Sequence, residues 1–90
     1  MKKLENKQTA IPNKQGGNQT YKDLIMLCLD YNPKGFVFSD FQKRNRIEVA
    51  LDKMEFEDAD AKNLREIVLQ MAWSIRNNEV YLFMQDIEKL

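Results

Sequence analysis

The chain has 90 residues, 14 Lys and Arg balanced by 14 Asp and Glu, no His, one Cys and three Gly. That length allows one domain, and the composition removes the ligands of a zinc site, the base that would activate a cysteine nucleophile and the glycines of a phosphate loop. The zero net charge hides an asymmetry: residues 1–19 carry four Lys and one Glu, whereas from Thr20 onward ten bases face thirteen acids.

Residues 1–19, MKKLENKQTAIPNKQGGNQ, hold almost no large apolar side chains. Too little surface can be buried there to offset chain entropy, which predicts a disordered basic arm. From Thr20 to Leu90, 35 of 71 residues are apolar, enough for the core of a single helical domain. No apolar run approaches the roughly 18 to 20 residues that cross a bilayer, and no hydrophobic signal core follows the first lysines. With a lone Cys that fits a reducing compartment, the expectation is a soluble cytoplasmic protein without a membrane partner.

The first predicted helix runs from Tyr21 to Tyr31. Thr20 serves as N-cap, and Tyr21, Leu24, Ile25 and Cys28 fall on one face. Asn32, Pro33, Lys34 and Gly35 match a type I turn that ends it. Phe36, Val37 and Phe38 favour an extended chain but have no second strand to pair with, so they predict a connector that places two Phe rings in the core.

Ser39 followed by Gln42 has the form of a capping box for a second helix. Ile47, Ala50, Leu51 and Met54 give that helix an apolar stripe. Phe41 and Val49 lie off it, which implies either two packing neighbours or a bend near Asn45. In the acidic run Glu55 to Asp60, Asp58 or Asp60 can cap a third helix with Ala61, Leu64, Val68, Met71 and Ile75 on one face. Asn77 and Asn78 end it and begin a fourth, striped by Val80, Phe83, Met84 and Ile87. The fold class expected is therefore mainly α: a small bundle of about four helices with a Phe-rich connector between the first two.

Candidate chemistry is sparse. Glu55, Glu57, Asp58 and Asp60 could gather around Ca²⁺, but Lys62 stands where a third ligand belongs, and neither the turn Gly nor the closing Glu is present. Helix capping is the better reading of these acids. Cys28 lies on an apolar face and reads as an inert buried thiol. These features predict no enzyme, no cofactor, no metal and no small-molecule substrate.

Two partner classes remain. Ile67, Leu69, Trp73, Tyr81 and Leu82 lie outside the stripes that the last two helices would bury in a four-helix monomer, and because Trp, Tyr and Met are common at interface centres, Met84 joins Trp73 and Tyr81 as a candidate anchor. They predict a protein interface, most simply a two-fold homodimer. The bland alternative is that the fourth helix is sandwiched between the others and the N-terminal arm folds back over the rest. The runner-up is a small DNA-binding regulator resembling a helix-turn-helix in outline, with Lys43, Arg44 and Arg46 meeting nucleic acid. Asp40, Glu48 and Asp52 on the same helix oppose that reading, and Arg44 with Glu48 has the spacing of a solvated i, i+4 pair. A polar basic arm ahead of a small helical domain is a make-up common among short accessory proteins of bacteria and phages.

Overall fold

In the computed structural model, which describes residues 1–74 and 76–90, four helices are joined by two small antiparallel sheets. The helices are α1 (Tyr21–Leu29), α2 (Phe38–Ala50), α3 (Asp58–Leu69) and α4 (Asn78–Glu88). Strand β1 (Lys2–Lys3) pairs with β4 (Glu55–Phe56), Lys2 opposite Phe56 and Lys3 opposite Glu55; β2 (Gln8–Pro12) forms a hairpin with β3 (Asn18–Thr20). The four expected helices are present, and the two small sheets make the architecture mixed α/β instead of purely α.

The N-terminal segment is the chief correction: it is built into the fold, not disordered. Leu4 is buried, and its N–H donates to the Met54 carbonyl at 2.9 Å. Ile11 packs half-buried against the core, and the rest of the segment is held mostly through polar atoms. A helix start leaves amides unpaired. Here the Tyr21 N–H donates to the Lys7 carbonyl, the Lys22 N–H to Asn6 Oδ1, and the Asp23 N–H to Thr20 Oγ1. In return Asp23 Oδ2 accepts the Thr20 N–H at 2.9 Å, completing a capping box on the predicted N-cap. The hairpin turns at Asn13, whose Oδ1 accepts the N–H groups of Gln15 and Gly17. Its ladder shifts register between Gln8 and Pro12. Inside that irregularity the buried Thr9 hydroxyl donates to the Gln19 carbonyl and accepts the Ile11 N–H.

The core is a single cluster drawn from all four helices and β4, with Phe56, Phe83, Leu24, Ile25, Ile47 and Leu64 fully enclosed. All four predicted face residues of α1 lie in it. The turn after α1 also forms as read: the Gly35 N–H donates to the Asn32 carbonyl at 3.0 Å, and Gly35 takes φ +81°, which suits its missing Cβ.

Other expectations need correcting. The connector does not send two Phe rings inward: Phe36 is half-buried, while Phe38 is the first residue of α2 and 75% exposed. The Ser39–Gln42 box does not form, because α2 starts earlier, with Val37 at the N-cap position and Asp40 Oδ2 accepting its N–H at 3.1 Å. Helix α2 ends at Ala50, and the chain then reverses through Met54, whose φ of 52° is rare for a residue with a Cβ. Helix α3 stops at Leu69, so Met71 and Trp73 pack on the core from non-helical chain, and Ile75 lies outside the described residues. Neither Asp58 nor Asp60 caps α3; Glu57 is at the N-cap, and Asp60 is turned to Arg46.

One polar lock joins the N-terminal segment to α4. The buried Tyr21 hydroxyl donates to Asp86 Oδ2 at 2.5 Å, and Lys7 Nζ reaches the same oxygen at 3.2 Å. Burial, then the bond to Asp86, raises the Tyr21 phenol above its ordinary range; that bond and Lys7 hold Asp86 below the usual carboxylate range, against the opposing influence of burial. A depressed carboxyl contributes stability above its ordinary pKa of about 4, which is lost as pH falls through the lower folded value. The phenol's share is present below about pH 10 and is lost as pH rises through its raised value. Asp86→Asn is therefore expected to lower the urea midpoint at pH 7 and to differ much less from wild type at pH 2. An equal deficit at both pH values would show that the carboxylate charge is not what matters.

Candidate interaction surface

The residues expected to form an interface divide into two groups. Ile67, Trp73 and Met84 are half-buried and pack against the core. Leu69, Tyr81 and Leu82 stand open at 40%, 58% and 43% exposure. On α4 the split follows the helical period, with Val80, Phe83 and Ile87 turned inward, and Asn77 caps the helix as its Oδ1 accepts the Glu79 N–H at 2.8 Å. Tyr81 and Leu82 fall on the outer side. Trp73 meets the Phe83 ring edge-on at 6.2 Å, and its Nε1–H is buried without an acceptor among the described residues. A groove of about 760 Å³ opens beside it, between Trp73, Ser74, Arg76 and Asn77 on one side and Val80, Tyr81 and Met84 of α4 on the other.

The candidate nucleic-acid residues are also placed unequally. Arg44 donates through Nη1 to the carbonyls of Cys28 and Leu29, each at 2.9 Å, and to that of Tyr31 at 3.5 Å, joining the Tyr31 N–H on the Cys28 oxygen at the end of α1. Its guanidinium also lies 5.0 Å from the Phe36 ring centroid. This geometry fixes the connector, and it replaces the expected pair with Glu48. Arg46 forms a two-point pair with Asp60, Nε to Oδ1 at 2.9 Å and Nη2 to Oδ2 at 3.2 Å, with Asp60 buried. Lys43 is exposed on α2. Two of the three cations therefore have donors engaged within the fold.

The acids of the β4 region are likewise dispersed: Glu55 pairs with Lys3 at 3.5 Å and Asp60 with Arg46. Burial pushes the Cys28 thiol up to about 12, although Arg44 acts in the opposite sense. At neutral pH it is a thiol, the unreactive form.

Sequence reasoning missed a second apolar surface, on α2 and the connector before it. Val37, Phe38, Phe41 and Val49 are 64%, 75%, 50% and 74% exposed. Its signal was already present in Phe41 and Val49, which fit no inward stripe. Phe41 meets the Phe36 ring of the connector at 5.6 Å and stays half exposed, Val49 faces solvent, and α2 runs unbroken from Phe38 to Ala50. No helix among the described residues is long and apolar enough to cross a membrane. Comparison with protein-family models, curated proteins and solved structures finds no significant match.

Proposed function

We propose that this chain is a non-catalytic interaction module that binds another protein chain through apolar surface its own fold leaves uncovered. The observation that carries the reading is the set of large apolar side chains on regular helices that stand in solvent: Phe38, Phe41 and Val49 on α2, Tyr81 and Leu82 on α4. Scattered apolar residues are ordinary on protein surfaces, but side chains aligned along a helix face are a feature of docking surfaces. The DNA-binding alternative lacks a comparable observation, since Arg44 and Arg46 are engaged within the fold.

The test is the solution mass of protein freed of nucleic acid, measured by size-exclusion chromatography with light scattering over a range of concentrations. A species above 10.7 kDa, or a protein held in stoichiometric amount on purification from native cells, is the expected result. A 10.7 kDa monomer at every concentration that retains no partner would contradict the reading. Salt-sensitive retention of duplex DNA, lost when Lys43 is changed to Ala, would favour the alternative instead.

A further inference from the structure

We propose that the outer face of α2 is the surface on which two copies of this chain pair about a two-fold axis, with Asn45 at its centre. The inference rests on the reading of the chain as an interaction module and names one partner, a second copy. Helix α2 buries one residue, Ile47. Phe38, Phe41, Asn45 and Val49 are spaced by three, four and four residues, so they share a face, and Ile47 lies nine residues, about two and a half turns, beyond Phe38. The apolar stripe is thus opposite the buried side, the reverse of an ordinary amphipathic surface helix. Phe41, Asn45 and Val49 form one i±4 ridge, the kind that interdigitates with its like when helices cross at about −50°. Phe41 and Asn45 continue into a crevice with Met26 and Phe36 on one side, and Asn45 and Val49 border Met1 on the other.

Two features point to a second copy as the occupant. Asn45 is exposed at the middle of the stripe, and its amide makes no hydrogen bond among the described residues. Covered by an apolar partner, its donor and acceptor would both be stranded. Faced by its own symmetry mate, each amide offers the donor the other lacks and accepts in return, as polar residues at helix seams do when they set register. Area is the second feature. Judged by their fractional exposures, Met1, Val37, Phe38, Phe41 and Val49 leave about 600 Å² open, the larger part of the roughly 800 Å² per partner of a standard stable interface.

Sedimentation equilibrium on the full chain tests this. Wild type is expected at twice 10.7 kDa, Val49→Glu and Phe41→Glu at 10.7 kDa with unchanged circular dichroism, and the double variant Tyr81→Glu, Leu82→Glu still dimeric. Each α2 variant should weaken the dimer at least tenfold. Asn45→Cys should give a covalent dimer on mild oxidation while the buried Cys28 does not, which keeps the test decisive if one charged variant misfolds. A wild-type monomer at the highest concentration, or a dimer indifferent to Val49→Glu, overturns the proposal. If the Tyr81→Glu, Leu82→Glu variant alone dissociates the dimer, the α2 interface is wrong and the interaction-module reading stands.

Discussion

Phe83→Ala is expected to destabilise the domain by about 3 to 5 kcal/mol, a range typical of emptying a buried aromatic site. Phe83 is fully enclosed, with Tyr21 edge-on at 5.0 Å and Trp73 edge-on at 6.2 Å. Each such aromatic pair adds about 0.5 to 1.5 kcal/mol beyond its buried area. The three rings also come from three separate elements: the start of α1, the segment after α3, and α4. Removing the central one leaves Trp73 without the neighbour that holds its non-helical segment against the core. A 90-residue domain holds only about 5 to 13 kcal/mol in total, so the variant should lose roughly a quarter or more of its stability. Urea denaturation measures it directly. Leu82→Ala, the neighbouring residue on the open side of α4, should change the unfolding free energy by no more than about 0.5 kcal/mol. Equal losses at the two positions would mean that Leu82 is covered, by the fold or by a second copy.

That contrast between adjacent residues was half legible in the sequence. The period of α4 separates Val80, Phe83 and Ile87 from Tyr81 and Leu82, and the observed burial follows it. The α1 face and its Thr20 cap were equally readable, because a helix that buries one stripe writes its spacing into the chain. Helix α3 was overextended for a different reason. Nothing in the run from Gln70 to Ser74 breaks a helix, yet Met71 and Trp73 gain more by packing on the core than the extra turns would supply, and tertiary contact overrides propensity. The outer face of α2 was visible only as a misfit: Phe41 and Val49 had no place in an inward stripe, and composition cannot say whether a misfit is covered within the monomer or awaits another chain.

The N-terminal segment was illegible for a reason that can be tested. Composition judges order by apolar burial, whereas this segment offers one buried Leu and a series of polar atoms placed to meet specific partners. Asn6 and Lys7 supply acceptors to the first amides of α1, Lys7 reaches Asp86, and β1 covers the edge of β4 beside the fully buried Phe56. None of these contacts has a periodicity, because each pairs a tail residue with one that is distant in sequence. Leu4→Ala is therefore expected to cost about 2 to 5 kcal/mol, as at other buried Leu positions. Removal of residues 1–7 should cost more, since it also exposes Phe56 and strips the N-terminus of α1. The measurements are the urea midpoint and the rate of tryptic cleavage at Lys2, Lys3 and Lys7, which should be slow in the intact protein and should rise sharply in Leu4→Ala. A disordered arm makes the opposite prediction on both counts: cleavage at those lysines within seconds to minutes, and a truncated protein as stable as the whole. Finding the truncated chain unchanged would return residues 1–7 to the status of a tail and leave the burial of Leu4 without energetic consequence.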